Sequence, residues 1–150
     1  MMTTPRPSPA HVGPHHDLRG PGGVGLTIGK TFTFEASHRL NGLHDGHKCG
    51  RLHGHSYQVT VELTADELVG PGFVTDFGDL SPFGAYLAEH FDHRDLNEVL
   101  DVEPTSELLA VHLVRWFLDQ VQPVIAGRLV AVTVSETPKT WARCTVRATT

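Results

Sequence analysis

Two stretches of the chain alternate between apolar and polar residues, and this alternation constrains the fold more than any other feature. Over residues 30–38 the apolar positions are Phe32, Phe34 and Ala36. Over residues 55–63 they are Tyr57, Val59, Val61 and Leu63. Successive side chains of a β-strand point to opposite faces of the sheet, so a period of two indicates strands with one buried face. The sequence therefore predicts two half-buried strands early in the chain.

The middle of the chain has helical spacing instead. Apolar residues three and four apart predict one helix over about residues 79–91 and a second over about 105–121. Thr105 or Ser106 can cap the start of the second helix, and Pro123 ends it. The two strands are therefore followed by two helices.

Extended segments return after the helices. Residues 129–136 and 142–147 are predicted to be two further strands joined by a turn. A short extended piece is also predicted over residues 72–77, after a Gly-Pro-Gly turn signal. The long elements thus come in the order ββααββ. We predict an α+β fold in which a four-stranded antiparallel sheet carries two helices on one face.

The beginning of the chain differs from the rest. Residues 1–28 are rich in Pro, Gly, Ser and Thr and lack hydrophobic periodicity, which predicts a disordered tail. Residues 29–150 are numerous enough to bury the core of one domain. We therefore predict an N-terminal tail followed by a single folded domain.

Charge and hydropathy argue against two classes of partner. The net charge is −5 and the basic residues are scattered, whereas a nucleic-acid surface needs clustered Lys and Arg. No apolar run is long enough to span a bilayer, and no basic-then-apolar signal sequence is present. We expect no nucleic-acid partner, no membrane partner and a cytoplasmic location.

Histidine is the unusual part of the composition, since seven of the eleven histidines lie between His38 and His93. His38, His53 and His55 end the two predicted strands at the parity of the apolar faces. A buried imidazole without a partner is costly, and three protein ligands with a fourth position free are typical of catalytic zinc. We predict a Zn²⁺ site on these three residues. Hydrogen-bonded core histidines are the alternative.

Cys49 lies in the loop between these strands, four residues before His53, with a basic residue on either side. Nearby positive charge favours the thiolate form. A thiolate beside an open zinc position can act as a general base, whereas a buried structural cysteine or a fourth zinc ligand are the alternatives. We interpret His44 and His47, in the same loop, as solvated or substrate-facing and not as ligands.

Two further groups are candidates for proton transfer or binding. Asp92 directly precedes His93, and a carboxylate beside an imidazole can orient it and raise its basicity. Glu136 has the same parity as the residues predicted to face the core from its strand, Val130, Val132 and Val134. A carboxylate at the end of an apolar face suits a ligand with paired N–H donors, such as an aminopyrimidinone ring. A solvated side chain at a strand end is the alternative for Glu136.

Six segments, in this order, resemble the 6-pyruvoyl-tetrahydropterin synthase superfamily: FTFEASHRL, DGHKCGRLHGHSY, VTDF, FDHRDLN, PTSE and VSET. The resemblance covers residues 30 to about 147. The Cys-x-x-x-His-Gly-His spacing at Cys49–His55 is similar to the bacterial branch of that superfamily, the 6-carboxy-tetrahydropterin synthases. The pyruvoyl-forming enzymes typically place more residues between the cysteine and His-Gly-His.

The resemblance implies roles for individual residues. It implies zinc on His38, His53 and His55. It implies that Cys49 is the catalytic thiol and that Asp92 and His93 form a proton-transfer dyad. It implies that the pterin edge is held by Glu136 with help from Thr105, Ser106 and Glu107. The triphosphate ligands are left open, with four basic candidates, Arg39, Lys48, Arg51 and Lys139.

The resemblance also implies a fold, a reaction and an assembly. The fold is the tunnelling fold, or T-fold, commonly a homohexamer with active sites between subunits. The reaction converts 7,8-dihydroneopterin triphosphate to 6-carboxy-tetrahydropterin, acetaldehyde and triphosphate, a step towards preQ0, queuosine and other 7-deazapurines. The alternatives are the sister enzyme that forms 6-pyruvoyl-tetrahydropterin, a non-catalytic zinc- or pterin-binding module, and an enzyme of deazapurine natural-product synthesis.

Overall fold

A computed structural model of the chain describes residues 16–148. Residues 1–15, which make up most of the predicted tail, lie outside the described residues. Strand β1 (His16–Asp17) pairs with β4 (Glu67–Leu68), and β2 begins at Thr27, shortly before the expected start of the domain. The division into a tail of residues 1–28 and a domain of residues 29–150 stays a prediction.

The main sheet has five strands in the order β5-β2-β3-β6-β7. Their bounds are Thr27–His38 for β2, His53–Thr64 for β3, Arg94–Asp95 for β5, Arg128–Thr137 for β6 and Thr140–Thr145 for β7. The four long strands pair with one another in antiparallel fashion, as predicted. The prediction of four strands is corrected by β5, which runs parallel to β2. Two residues are too few to show an alternation, so the sequence contained no signal for β5.

The helices confirm the two that were predicted and add a short one. Helix α1 spans Ser81–His90, α2 spans Leu96–Val99 and α3 spans Ser106–Gln120. Short 3-10 helices cover Lys48–Gly50, Phe77–Leu80 and Gln122–Val124. Within residues 16–148, no helix is long and apolar enough to cross a membrane.

The prediction of an extended piece over residues 72–77 is wrong. Gly70 and Gly72 have φ values of 56° and 118°, so the backbone turns there, and Val69 makes a single bridge to Phe73. Asp76 then caps the 3-10 helix that leads into α1, accepting a hydrogen bond from the Gly78 N–H at 2.8 Å. The local turn chemistry overrides the apolar composition of this segment.

The core lies between one face of the sheet and the helices. Buried side chains from β2, β3, β6, α1 and α3 form one cluster, which includes Phe34, Tyr57, Phe83, Leu113 and Phe117. Gly84 allows α1 to approach the sheet, because a Cβ there would lie 2.9 Å from Cε1 of Phe32. Both long helices therefore pack on the same face, as predicted.

Strand β6 contains an irregularity that changes which residues face the core. Leu63 pairs with Leu129, whereas Glu62 pairs with Ala131, so Val130 is an extra residue at a β-bulge. Leu129 is buried and Val130 is only half-buried, which corrects the prediction that Val130 faces the core. Beyond the bulge Val132 and Val134 face the core as predicted.

Candidate metal centre and active site

Three imidazoles converge where β2 ends and β3 begins. His38 and His53 are directly opposite each other in the β2–β3 ladder, and His55 is opposite Ala36. The Nε2 atom of His38 lies 3.1 Å from Nε2 of His53 and 3.1 Å from Nε2 of His55. We call His38, His53 and His55 the histidine cluster. Strand parity and register together bring these three side chains to one point, as the alternation predicted.

Two members of the histidine cluster are oriented by backbone carbonyls. Nδ1 of His38 lies 2.7 Å from the carbonyl oxygen of Pro104, and Nδ1 of His53 lies 2.7 Å from that of Arg51. A carbonyl oxygen only accepts hydrogen bonds, so each Nδ1 carries the proton and donates it. The lone pairs on Nε2 are therefore directed at the centre of the cluster. This arrangement is the one that metal-ligating histidines use.

The surroundings of the cluster favour the neutral form of His55. His38 is 1% exposed. Burial lowers the pKa of His55, and the neighbouring His38 and His53 act in the same direction while Glu136 opposes them. Burial, and then the charge of Glu136, raise the pKa of Tyr57 far above its usual range, so its hydroxyl remains protonated. That hydroxyl lies 3.3 Å from Nδ1 of His38 as a second polar neighbour.

The donor set of the histidine cluster fits a zinc ion. Within residues 16–148 these three residues are the group whose ligand atoms all lie within 4.8 Å of one another. The Nε2 lone pairs of His38 and His53 face each other at 3.1 Å without a proton between them, which would be repulsive, and a cation at the centre of the cluster removes that conflict. Three nitrogen ligands with a remaining open side match catalytic zinc, whereas structural sites use four protein ligands.

Glu136 lies at the open side of the cluster. Its Oε1 is 3.9 Å from Nε2 of His38, and its Oε2 is 3.7 Å from Nε2 of His55. The carboxylate is only partly exposed and lines a cavity of about 350 Å³ together with His55. The structure therefore places Glu136 next to the predicted metal ligands, with its carboxylate accessible from a cavity.

Asp92 and His93 form a contact that adjacency in sequence could not prove. Oδ2 of Asp92 lies 3.0 Å from Nδ1 of His93, and Oδ1 accepts the N–H of Glu35 at 2.9 Å. The hydrogen bond from the Glu35 backbone, and then that from His93, hold the pKa of Asp92 below its usual value. The Asp92 carboxylate is therefore fixed between the backbone of β2 and the imidazole.

The backbone of His93 is unusual. It has a φ of 57°, a left-handed conformation that non-glycine residues rarely adopt. Its N–H donates to the Glu35 carbonyl at 2.6 Å, and its side chain is 79% exposed. Strained backbone of this kind is often found at functional sites. The imidazole borders a cavity of about 460 Å³ that His55 also lines.

Cys49 is placed apart from these groups. It lies half-buried on the 3-10 helix Lys48–Gly50, in the loop between β2 and β3. Among the described residues, the histidine cluster and the linings of the two cavities next to it do not include Cys49. Within the single chain, His93 shares one cavity lining with His55 and Glu136 shares another, and neither of these linings includes Cys49.

The residues expected to assist Glu136 lie at the start of α3. Thr105 caps this helix, its Oγ1 accepting the Leu108 N–H at 3.1 Å, and Ser106 is the first helical residue. Glu107 lines a separate cavity of about 710 Å³ beside Trp141 and Arg143. The structure therefore gives Thr105 a structural role, and within one chain it does not bring Glu107 to Glu136.

Sequence reasoning missed several groups that build the site. The Pro104 carbonyl and the Arg51 carbonyl orient ligands, but a backbone atom has no sequence signal. Asn97 holds the segment after β2, donating to the Arg39 carbonyl at 2.9 Å and accepting the Arg39 N–H at 2.8 Å. Its position at the end of FDHRDLN was the available signal. The parity of Tyr57 predicted only a core residue, whereas its hydroxyl also lies 3.3 Å from Nδ1 of His38.

The fold and the site together define a class of protein: a T-fold α+β domain with three histidines at the end of its central strands that could hold a metal ion. Residues 27–147 match the family model of 6-pyruvoyl tetrahydropterin synthase. The chain belongs to this family.

Relatives and solved structures agree with this assignment. The chain is 38% identical over 122 residues to a 6-carboxy-5,6,7,8-tetrahydropterin synthase from Synechocystis, covering 77% of this chain and 90% of the relative. It is 35% identical over 122 residues to a probable enzyme of that name from Halobacterium salinarum, covering 69% and 75%. The 6-pyruvoyl tetrahydropterin synthase of Caenorhabditis elegans superposes with a TM-score of 0.68 at 27% identity, covering 83% and 97%.

Proposed function

We propose that the protein is a zinc-dependent 6-carboxy-5,6,7,8-tetrahydropterin synthase. It would convert 7,8-dihydroneopterin triphosphate and one water molecule to 6-carboxy-tetrahydropterin, acetaldehyde and triphosphate, for 7-deazapurine synthesis through preQ0 towards queuosine. The observation that carries the proposal is the histidine cluster, bordered by Glu136 on one side and by the cavity of His93 on the other. The names of the relatives from Synechocystis and Halobacterium salinarum support the same product.

Substrate binding is assigned first to Glu136. Its carboxylate faces a cavity and can accept two parallel N–H groups, which an aminopyrimidinone edge presents. Thr105, Ser106 and Glu107 are proposed to assist it. Because Glu107 lines a different cavity of the same chain, its contact with a pterin requires a neighbouring subunit.

Proton transfer is assigned to Asp92, His93 and Cys49. A bound zinc ion would supply Lewis acidity to the side-chain oxygens of the substrate and make the neighbouring C–H bond more acidic. Nδ1 of His93 faces Asp92, so its Nε2 can accept a proton while the carboxylate stabilises the resulting charge. Cys49 as thiolate would move a proton on the other side of the substrate. These transfers allow enolisation, loss of triphosphate and carbon–carbon cleavage.

The proposal includes a homohexamer in the cytoplasm with active sites between subunits. Two sheet edges support an assembly, because in the described residues β7 lacks a partner on its outer side and β5 covers only the end of β2. Exposed strand edges are commonly covered by pairing with another chain. Trp141 on β7 is 69% exposed. Sedimentation velocity tests the assembly, and a monomer at assay concentration would contradict it.

The sister activity is the second candidate function. The matching family model and the Caenorhabditis elegans structure both have 6-pyruvoyl tetrahydropterin synthase in their names. The three residues between Cys49 and His53 favour the carboxylated product instead. A mass spectrum of the pterin product separates the two activities.

The test is incubation of the zinc-loaded protein with 7,8-dihydroneopterin triphosphate, with acetaldehyde and the pterin product measured by chromatography and mass spectrometry. We expect equal amounts of acetaldehyde and 6-carboxy-tetrahydropterin. Formation of 6-pyruvoyl-tetrahydropterin without acetaldehyde would assign the sister activity. Absence of any product, with zinc bound, would leave a non-catalytic binding module as the remaining reading.

A further inference from the structure

We propose that His47 is a positioning residue for Cys49, acting through its Nδ1 atom as a hydrogen-bond acceptor. The inference rests on the proposed function in one respect, namely that Cys49 is the reactive thiol. It departs from the expectation that His47 is solvated or substrate-facing, because its Nδ1 faces back into the protein.

The evidence is the conformation of the segment that carries the thiol, residues 47–51, which we call the cysteine turn. His47 has an extended backbone and precedes the 3-10 helix Lys48–Gly50. Its Nδ1 accepts the N–H of Cys49 at 3.1 Å, and its carbonyl accepts the N–H of Gly50 at 3.0 Å. A side-chain acceptor at this position does what an N-cap residue does for a helix.

The opposite side of Cys49 is held by the end of β2. The Cys49 carbonyl accepts the N–H of Leu40 at 2.8 Å. The residues beside Leu40 are fixed in turn, Arg39 by Asn97 and Asn41 by two hydrogen bonds of 3.0 Å to Glu103. The Cys49 carbonyl is therefore anchored to the body of the protein, and its N–H is anchored by His47.

The turn cannot hold this geometry by itself. A single helical turn is unfavourable in water because it fixes several backbone dihedrals for one or two hydrogen bonds. Cys49 has a half-buried side chain and no part in the core cluster. Without the His47 acceptor, the Cys49 N–H would turn towards water and the direction of Sγ would change.

The turn also leads directly to a predicted metal ligand. The N–H of Arg51 donates to the Lys48 carbonyl at 3.2 Å, and the Arg51 carbonyl accepts from Nδ1 of His53 at 2.7 Å. The same short segment thus sets the thiol at one end and orients an imidazole of the histidine cluster at the other. A defined turn fixes the position of the thiol relative to the metal, which a flexible loop would not do.

The role of Nδ1 can be separated from the other properties of the ring. The side-chain oxygen of Asn occupies nearly the position of Nδ1, whereas the amide of Gln reaches the position of Nε2. His47→Asn therefore keeps an acceptor for the Cys49 N–H, and Asn is a good N-cap residue. His47→Gln keeps a polar side chain of similar size but moves the acceptor away, and His47→Ala removes it.

The experiment compares these three variants with the wild type after zinc loading. Iodoacetamide alkylation of Cys49 is followed by mass spectrometry, with Cys144, half-buried on β7, as the reference thiol in the same molecule. The kcat and KM of product formation are measured in parallel, with zinc content and melting temperature as checks on the fold. His90→Ala, which removes an exposed histidine at the end of α1, is the control variant.

We expect His47→Asn and His90→Ala to remain within about twofold of the wild type in both assays, because each leaves an acceptor for the Cys49 N–H. In His47→Gln and His47→Ala, alkylation of Cys49 becomes about fivefold faster as the turn opens, an effect of the size that N-caps produce. In the same two variants kcat falls about tenfold or more with KM little changed, because catalysis is sensitive to small misplacements of a reacting group. Cys144 alkylation and zinc content stay unchanged, because the strand register still sets the histidine cluster, and the melting temperature falls by no more than the loss of one N-cap causes.

Other rankings overturn the proposal. If His47→Gln behaves like His47→Asn, or if both are as impaired as His47→Ala, the Nδ1 acceptor does not position the thiol. Equal alkylation rates in all variants overturn it as well. If the wild type forms no pterin product, the proposed function has failed, whereas the alkylation rates still decide whether His47 holds Cys49.

Discussion

The histidine cluster flanks the loop between β2 and β3, and the cysteine turn lies inside that loop, yet the two are built in different ways. The cluster is part of the sheet: the β2–β3 register sets its side chains and carbonyls fix two of its rings. The thiol depends on one turn of 3-10 helix, one histidine acceptor and the hydrogen bond to Leu40. The difference teaches that one chain supplies all three candidate metal ligands from regular strands, whereas the groups proposed to transfer protons lie on turns.

The same contrast applies to His93. Its imidazole is exposed and its backbone is strained, while His38 is buried in regular strand structure. Rigid elements set ligand geometry more accurately than loops. Within one chain, the cavity that His93 lines does not include Cys49, so the two turns do not share a cavity. The predictions below test this division, beginning with loss of the metal site itself.

Removal of one member of the histidine cluster should abolish the metal site. For His53→Ala we expect zinc affinity to fall by at least about a hundredfold, more than is lost when a group behind a ligand is removed. Competition with a chromophoric chelator measures the affinity. His90→Ala should bind one zinc per chain like the wild type. Stoichiometric zinc in His53→Ala at wild-type affinity would remove the basis of the comparison.

Removal of the thiol should separate metal binding from chemistry. For Cys49→Ala we expect turnover to fall about a thousandfold, within the range for loss of a general base. Zinc content should stay at the wild-type level, because the cluster does not include Cys49. Product formation and zinc are measured on the same sample. Full turnover in this variant would show that the thiol is not a base, and Cys144→Ala is the matched control.

Neutralising Asp92 should weaken His93 without affecting the metal. For Asp92→Asn we expect turnover to fall about a hundredfold, because the amide cannot stabilise the charged imidazole. The measurement is kcat with zinc content as control. Unchanged kcat would contradict a dyad.

The same substitution should have a pH signature in stability. Hydrogen bonds lower the folded-state pKa of Asp92, so its ionised form stabilises the fold above the ordinary aspartate pKa. That stabilisation is lost as the pH falls through the lowered value. The difference in unfolding free energy between wild type and Asp92→Asn should therefore be largest near neutrality and vanish in acid, which denaturant titrations at several pH values measure. A difference that grows in acid would contradict the direction.

The smallest effect is expected for the Tyr57 hydroxyl. His38 keeps its hydrogen bond to the Pro104 carbonyl when the hydroxyl is removed, so Tyr57→Phe should reduce stability by about 1 kcal/mol. Burial raises the pKa of Tyr57, so this reduction should not change between pH 6 and about pH 9. Thermal unfolding measures it. A large loss of zinc affinity would mean that the hydroxyl, and not the carbonyl, orients His38.

The sequence by itself determined the architecture and the position of the cluster. Alternation in residues 30–38 and 55–63 predicted the strands, their buried faces and the shared side of three histidines, because side-chain direction in a strand follows parity alone. Helical spacing predicted α1 and α3, because side chains three and four residues apart lie on the same face of a helix. The resemblance added the family, with residues 27–147 matched by its model.

Only the tertiary structure decided the features that depend on contacts between distant residues. The prediction that Val130 faces the core was wrong, because a bulge against β3 shifts the register. The strand β5 forms because β2 offers it an edge for pairing. The contacts of Asp92 with Glu35 and of His38 with Pro104 join residues that are far apart in the sequence. The contact of Asp92 with His93 depends on side-chain directions that adjacency does not fix. Local periodicity carries no information about which backbone carbonyl or neighbouring strand a side chain will meet, so these contacts had to come from the folded chain.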